Sequence, residues 1–315
     1  MTESEVALRV YQDMVAIVGF FGNSLVCFVI FKVRAMRTRT NAFIFHQAVI
    51  DFIGCTAILL KSEIPLPDSI PSDALGWFIC NAWNSNCLLF FLYTLSTFNL
   101  LAMTMEQYFA IVHPFKYQAV LAAWPRLKVG VAMAVCWLFP FSLEFIRSLL
   151  FYKEENGRCI VIPIAGSKTI GVVTVFLQYV LPVAVMLFAY IRIGVEMKRG
   201  AARVGPAPAQ HLPNRANAPD MAESLLKARR KTFKLLVVVF VTFVICWTPN
   251  ETIFLLFNLG MDIDLTEWFY SLSVAMVATN SCVNPIIYAF KYRQFRNGVR
   301  QIFCSRAGQA IDVSA

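Results

Sequence analysis

The chain has 315 residues, of which 58% are hydrophobic and 15% are charged, and its mean hydropathy is +0.62. A soluble domain usually carries about 25% charged residues, so this composition excludes an ordinary soluble protein and indicates a chain that folds in a lipid bilayer. The net charge is +9, but the sequence shows no basic-aromatic array or nucleic-acid-binding module, so no nucleic-acid partner is expected.

Seven stretches are long and apolar enough to cross the hydrocarbon core, which needs about 20 mostly apolar residues. The first of them follows a short acidic segment, Met1 to Glu5. A cleaved signal peptide begins with a basic segment, so we expect the first helix to be retained. The spans leave no room for a separate soluble domain. This predicts an all-α fold, a single seven-transmembrane helix bundle over residues 1–315, with spans at about 7–31, 42–65, 78–105, 127–151, 170–195, 232–258 and 267–290.

The segments outside the spans have their own predicted character. Residues 200–219 are rich in Ala, Pro, Gly and Asn, which predicts a flexible inner loop. Residues 291–304 place apolar side chains on one helical face and Lys or Arg on the other, which predicts an amphipathic helix on the membrane surface. Residues 305–315 are the tail. Cys304 is a candidate for palmitoylation, with an unmodified thiol as the alternative.

Basic residues are unevenly distributed between the two ends of the predicted bundle. With the N-terminus outside, 22 of the 28 Lys and Arg residues flank the inner ends of the spans. The positive-inside rule therefore predicts an outer N-terminus and a cytoplasmic C-terminus. No internal repeat is evident, which counts against a transporter built from inverted repeats.

Each predicted span contains a polar or kinking residue that hydrocarbon would penalise, and such residues indicate function by default. In the seventh span, Pro285 frees a backbone carbonyl that must find a partner inside the protein. In chain order the features are Gly22-Asn23, Asp51, Ser96 with Asn99, Glu106-Gln107-Tyr108, Trp137 with Pro140, Pro182 with Tyr190, Cys246-Trp247-Thr248-Pro249, and residues 280–288, which read Asn-Ser-Cys-Val-Asn-Pro-Ile-Ile-Tyr.

This order of features resembles the pattern of rhodopsin-like G-protein-coupled receptors across all seven spans. The resemblance implies a plasma-membrane receptor rather than an enzyme, with an extracellular ligand, heterotrimeric G proteins and arrestin as partners, and membrane lipids around it. No hydrolytic or redox constellation is visible, and His46, His113 and His211 are expected to be solvated at inner ends or loops. The residues implied in activation and coupling are Glu106, Gln107, Tyr108, Tyr190, Pro249, Asn284, Pro285 and Tyr288.

The sequence departs from the family at Gln107, where the family motif Asp/Glu-Arg-Tyr has its arginine. A glutamine amide has no charge and two donors against five on a guanidinium, so it cannot form an ion pair with Glu106. Tyr190 and Tyr288, which partner the arginine in active relatives, are present. Coupling to G proteins is therefore weakened, constitutive or lost. The alternative function is a non-signalling decoy or a partner for another receptor.

Asp51 is a carboxylate predicted at bilayer depth with no basic residue at the same depth. Such a charge is costly unless it is paired or hydrated. The resemblance implies a sodium site here, formed by Asp51, Ser96, Asn280 and Asn284. The alternative is a protonated Asp51 that is hydrogen-bonded through water. No other cofactor is expected.

Cys80 and Cys159 lie near the outer end of the third span and in the loop after the fourth. Both would face an oxidising compartment, which predicts a disulfide, and two free thiols are the alternative. Cys80 stands 27 residues before Gln107, slightly further than is usual in the family, so the register of the third helix at this point stays open.

The ligand site is expected at the outer end of the bundle. In the family, Trp247 is the floor of the pocket, and Glu251 lies one turn further out on the same helical face. Glu251 either contacts the ligand or forms an ion pair with Lys61 or Arg147. Glu144 and Arg147 are spaced to pair with each other. The predicted ligand-binding residues are Leu89, Trp247, Glu251 and Phe254.

Two ligand classes are disfavoured. Leu89 stands where aminergic relatives have an Asp, and Ala278 stands where opsins have their retinal lysine. The outer half carries 13 acidic residues against six basic ones, and a negative mouth steers cations. This favours a basic or amidated peptide ligand. The alternative is an uncharged small molecule or lipid in a pocket of Phe and Tyr side chains.

Overall fold

The seven-span helical bundle is confirmed. The structure is a computed structural model that describes residues 3–122, 125–162, 164–203, 218–265 and 267–311, and in these ranges seven helices are long and apolar enough to cross a membrane. The elements are α1 Glu3–Lys32, a 3-10 turn Arg34–Met36, α2 Arg39–Glu63, α3 Ala74–Phe78, a π turn Ile79–Asn84, α4 Cys87–Val112, α5 Pro114–Ala122, α6 Pro125–Phe151, β1 Tyr152–Glu155, β2 Arg158–Val161, α7 Ser167–Val175, a π turn Phe176–Val180, α8 Leu181–Arg203, α9 Ala218–Asn258, α10 Trp268–Lys291 and α11 Arg293–Ile311.

The spans are α1, α2, α4, α6, the continuous α7–α8 pair, α9 and α10, and their surface is inverted relative to a soluble protein. Large apolar side chains face outward, as at Phe21 and Leu138, each 67% exposed, while Asn23 and Asn99 are completely buried. This arrangement suits a lipid solvent, because polar groups must be satisfied inside the protein. Gly22 lets α1 approach α10, since a Cβ atom there would lie 2.9 Å from the Pro285 ring.

The third span begins later than the predicted residue 78. Asn86 adopts a left-handed conformation with φ of 57° and separates the π turn from α4, because an Asn side chain tolerates this region better than most. Lys61 donates to the Trp83 carbonyl oxygen at 2.8 Å and to the Asn86 side chain. The π turn and this break take up extra residues, which accounts for the long spacing from Cys80 to Gln107.

A short β-hairpin, absent from the all-α prediction, lies between α6 and α7 at the end of the bundle that is predicted to face outward, called the outer end below. Strands β1 and β2 pair antiparallel, with Glu154 opposite Cys159. Asn156 and Gly157 form the turn with positive φ angles of 53° and 75°, which suits a two-residue hairpin turn. The predicted disulfide between Cys80 and Cys159 is present and ties this hairpin to the segment before α4.

The opposite end of the bundle, predicted to face inward and called the inner end below, also differs in its boundaries from the prediction. Helix α11 starts at Arg293 and continues to Ile311, beyond the predicted 291–304, so part of the predicted tail is helical. Its Phe295 is 3% exposed, which fits an apolar face turned toward the bundle. Cys304 belongs to α11, but its side chain lies outside the described part of the structure. Its lipidation therefore stays a prediction. Of the predicted loop 200–219, residues 204–217 lie outside the described residues.

Candidate functional site

The outer end of the bundle contains a cavity of about 300 Å³ between α4, α6, the α7–α8 pair, α9 and α10. Both Glu144 and Glu251 line it, together with one cation, Arg147. A second cavity of about 470 Å³ adjoins it on the α1–α2 side and shares with it the lining residues Asn86, Leu265 and Tyr270. The first cavity therefore has more negative than positive side chains on its wall.

Glu144 is a satisfied carboxylate. It is 2% exposed, its ion pair with Arg147 is 2.8 Å long, and it accepts a hydrogen bond of 2.6 Å from the Gln178 amide. The predicted pairing of Glu144 with Arg147 is confirmed. Because this ion pair neutralises the only cation on the wall of the cavity within the described residues, no positive side chain is left for Glu251.

Glu251 is the unsatisfied carboxylate of this cavity. Only 7% of it is exposed, yet it makes no hydrogen bond or ion pair within the residues that the structure describes. Arg147 binds Glu144, and Lys61 binds Trp83 and Asn86, so neither forms the alternative ion pair with Glu251. A buried carboxylate without a partner is costly unless a cation or donor is supplied from outside the protein.

The other predicted ligand residues are distributed over different depths. Phe254 lines the 300 Å³ cavity with Glu251, and Leu89 lines the adjoining cavity with Lys61. Trp247 is 1% exposed and packs its ring 5.5 Å from Phe243 and 6.4 Å from Tyr93. It lines neither outer cavity and lies among core residues, where its indole nitrogen has no hydrogen-bond partner in the described structure.

A separate polar cluster surrounds Asp51 in the interior of the bundle. Asp51 is 1% exposed and accepts hydrogen bonds from Asn284 at 2.9 Å, Gln47 at 3.1 Å and Ser96 at 3.3 Å. Ser281 also lies beside it as a donor. Asn280 is buried but donates no hydrogen bond to Asp51 in the described structure. Four of the carboxylate's neighbours are thus neutral donors from α2, α4 and α10.

His46 was expected to be solvated, and that prediction is wrong. It accepts a hydrogen bond of 2.7 Å from the Trp137 indole nitrogen and contacts the Asn99 carbonyl oxygen at 2.8 Å through its other ring nitrogen. Asn99 in turn donates to Gln47 at 2.8 Å. Gln47 was not predicted as a site residue. The available signal was the pair of polar residues His46 and Gln47, five and four residues before Asp51 in an otherwise apolar span.

The sodium site implied by the family requires oxygen lone pairs directed at a cation beside Asp51. Here the Asp51 carboxylate faces N–H and O–H donors instead, and the Gln47 amide nitrogen is one of them. Hydroxyls rotate freely, but the Gln47 amide is held by Asn99. The donor arrangement on the Gln47 side of Asp51 therefore does not fit a sodium ion.

The inner end holds a hydrogen-bonded cluster around Glu106. Gln107, 9% exposed, donates to Glu106 at 2.6 Å and to Thr40 at 2.9 Å. Tyr117 on α5 donates to the other Glu106 oxygen at 2.5 Å. Burial and the hydrogen bond to Glu106 raise the pKa of Tyr117, so its hydroxyl stays protonated and remains a donor. Gln107 thus contacts Glu106 as a neutral donor where the family has a charged one.

The remaining predicted activation residues lie on α4, α8, α9 and α10. Tyr190 shares a hydrogen bond of 2.9 Å with Thr104, whereas the Tyr288 hydroxyl is buried with no partner in the described structure. Tyr108 approaches His113 at 3.5 Å, and Pro249 and Pro285 lie inside α9 and α10. The structure brings Gln107, Glu106 and Thr40 together but keeps Tyr190 and Tyr288 out of that cluster.

Comparison with known proteins finds a family model that matches most of this chain. The 7 transmembrane receptor (rhodopsin family) pattern matches residues 22–288. Histamine H2 receptor of Homo sapiens is 25% identical, over 97% of this chain and 81% of that receptor. Octopamine receptor beta-2R of Chilo suppressalis is 26% identical, over 95% and 82%. Somatostatin receptor type 5 of Rattus norvegicus is 27% identical, over 98% and 80%.

Proposed function

Because the chain belongs to the rhodopsin family of seven-transmembrane receptors, we propose that it binds a cationic extracellular ligand and transmits this signal to heterotrimeric G proteins. It is a G-protein-coupled receptor of the plasma membrane, crosses the bilayer several times and is not an enzyme. The ligand class, the coupling and the direction of insertion are the proposed parts.

The observation that supports a cationic ligand is the buried carboxylate of Glu251, which has no partner in the described structure and lines the outer cavity. An ammonium or guanidinium group would supply the missing charge and hydrogen-bond donors. Amines and basic peptides both present such a group, and the similar proteins include receptors named for histamine and for somatostatin. We favour a basic or amidated peptide because the residues at the outer ends of the spans and in the outer loops are strongly acidic, and a negative mouth steers cations.

The insertion we propose has the N-terminus outside and the C-terminus in the cytoplasm. Two independent features support it. Most Lys and Arg residues flank the inner ends of the spans, and the disulfide between Cys80 and Cys159 lies at the opposite end, where an oxidising compartment would maintain it.

The ligand proposal is tested by a library of amidated basic peptides and primary amines, with ligand-stimulated nucleotide exchange as readout. For any active compound, Glu251→Gln is expected to lower potency by about 10- to 100-fold, since a hydrogen bond to a charged group contributes about 1.5–3 kcal/mol. Glu155→Gln, an exposed carboxylate paired with Lys153, is the matched control. An active uncharged compound whose potency survives Glu251→Gln would favour the small-molecule or lipid alternative.

Coupling is tested at Glu106. Tyr117 and Gln107 both hold Glu106 through hydrogen bonds, so we propose that this cluster restrains the resting state of the inner end. Tyr117→Phe removes the hydrogen bond from Tyr117 and is expected to raise basal nucleotide exchange by a few-fold, measured with several G-protein families at matched surface expression. Gln118→Ala, an exposed neighbour on α5, is the control.

The decoy alternative is separated from a weakly coupled receptor by Gln107→Arg. An arginine gives Glu106 a charge-assisted hydrogen bond and restores the guanidinium of the family motif. Stimulated exchange that appears only in Gln107→Arg would show that Gln107 itself disables coupling in the natural chain. Absence of exchange in wild type, Tyr117→Phe and Gln107→Arg alike would favour the non-signalling alternative.

A further inference from the structure

We propose that the amide of Gln47 takes the place of a sodium ion beside Asp51, so that this receptor holds a charged Asp51 without a cation. The inference concerns the interior of the bundle and does not depend on the identity of the ligand or on G-protein coupling.

The first observation is the completeness of the donor set around Asp51. One carboxylate oxygen accepts from Asn284 at 2.9 Å and from Gln47 at 3.1 Å, and the other accepts from Ser96 at 3.3 Å. An ionised carboxylate has about four lone-pair sites, and the Ser281 hydroxyl is a further neighbouring donor. Protein donors therefore contact both oxygens of the carboxylate.

The second observation is that Gln47 cannot present its oxygen to a cation at Asp51. Its amide oxygen accepts a hydrogen bond of 2.8 Å from the Asn99 amide nitrogen, and its nitrogen also contacts the Ser96 hydroxyl. A rotated Gln47 would place one NH₂ group against another and would leave Asp51 with one donor fewer. The Gln47 nitrogen is thus directed at Asp51 by Asn99.

The orientation of Asn99 is itself determined by a chain of hydrogen bonds. An indole nitrogen only donates, so the 2.7 Å contact from Trp137 makes the facing nitrogen of His46 an acceptor. The other ring nitrogen of neutral His46 then carries the proton and donates to the Asn99 carbonyl oxygen at 2.8 Å. Asn99 must therefore direct its NH₂ group at Gln47 and at the Phe43 carbonyl oxygen, 3.1 Å away.

Every hydrogen bond in this series points the same way, from Trp137 through His46, Asn99 and Gln47 to Asp51. The series ends at a carboxylate, which accepts without donating when it is ionised. A cation at the carboxylate oxygen that Gln47 contacts would face this N–H group. Turning the amide away from Asp51 would require the whole series to reverse, which the indole of Trp137 prevents. The amide dipole of Gln47 supplies the positive partner instead.

The experiment compares melting temperatures of purified receptor in NaCl and in choline chloride at equal ionic strength, without ligand. Wild type is expected to melt at the same temperature in both. Gln47→Glu keeps the shape and the Asn99 contact but replaces the donor by a second carboxylate, and Gln47→Leu removes the donor. Both variants are expected to gain a sodium-dependent rise of about 2 °C or more, as binding to the folded state predicts.

The double variant Gln47→Glu/Asp51→Asn should lose most of that gain, which shows that the ion acts at Asp51. Sodium NMR linewidths of the wild-type receptor and of Asp51→Asn give a second readout that does not need a folded Gln47 variant, and equal linewidths are expected. Greater broadening in wild type, or a higher wild-type melting temperature in NaCl than in choline chloride, would overturn the proposal. So would folded Gln47 variants that melt alike in both salts.

Discussion

Asp51 and Glu251 are both carboxylates buried in membrane-spanning helices, with 1% and 7% of their surface exposed, but their surroundings differ. Asp51 receives hydrogen bonds from Gln47, Ser96 and Asn284. Glu251 receives none from the described residues and faces a cavity. Burial of a charge therefore does not identify a ligand site by itself. The absence of internal donors beside a cavity is the feature that distinguishes the two.

The difference follows from where the polar side chains of the neighbouring helices lie. Around Asp51, α2, α4 and α10 each contribute an amide or hydroxyl group at the same depth. Around Glu251, the nearby Arg147 and Gln178 side chains already bind Glu144. Glu251 therefore stays available for a partner from outside, whereas Asp51 contributes to the cohesion of the bundle.

The largest expected effect is a loss of stability at the outer end that leaves the hydrogen bonds around Asp51 unchanged. Cys159→Ser removes the disulfide to Cys80 and should lower the free energy of unfolding by about 2–5 kcal/mol, because the cross-link restricts the unfolded chain. Hydrogen exchange should accelerate in the β-hairpin and around Asn86, with little change near Asp51. Cys27→Ser, which alters a free thiol, is the control. Equal acceleration in the β-hairpin and near Asp51 would contradict the separation of the two regions.

The next effect removes a donor from Asp51. Asn284→Ala should destabilise the receptor by about 1.5–3 kcal/mol, the usual contribution of a hydrogen bond to a charged group. Thermal unfolding in detergent or nanodiscs measures it. Asn297→Ala, an exposed asparagine on α11, is a control of the same residue type. An unchanged melting temperature would mean that Asn284 does not support the Asp51 charge.

Glu251→Gln should change the stability of the receptor in the opposite direction. Removing a buried charge that has no internal partner is expected to raise the stability of the ligand-free receptor by about 1–2 kcal/mol, because the amide avoids the cost of an uncompensated charge. Glu155→Gln at the exposed hairpin should leave stability unchanged. If Glu251→Gln destabilises the receptor as Asn284→Ala does, Glu251 has an internal partner and the contrast between the two carboxylates fails.

The smallest expected loss of stability comes from removing the Ser96 hydroxyl beside Asp51. Ser96 donates to Asp51 over 3.3 Å, the longest of the three hydrogen bonds from Gln47, Ser96 and Asn284, so Ser96→Ala should cost only about 0.5–1.5 kcal/mol. Its melting temperature should fall between those of wild type and Asn284→Ala. A loss larger than that of Asn284→Ala would show that the contact between Ser96 and Gln47 matters more than the contact to Asp51.

The amino-acid sequence by itself determined the seven spans and the disulfide, and it located both buried carboxylates. Hydropathy predicts a span because each residue's transfer into hydrocarbon contributes almost independently of its neighbours. The resemblance to rhodopsin-like receptors rests on residue types at fixed spacings, which are also local properties of the chain. The Glu144–Arg147 pair was predictable for the same reason, since three residues separate its members on one helix.

Tertiary structure alone decided which partner each carboxylate has. Asn284 and Asp51 are 233 residues apart in the chain, and Asn99 and Gln47 are 52 apart, so the rotation and depth of whole helices determine whether their side chains meet. The break at Asn86 and the β-hairpin likewise depend on the disulfide and on Lys61. A hydrogen bond forms only within about 3 Å, and no local pattern in the sequence specifies a distance between separate helices to that precision.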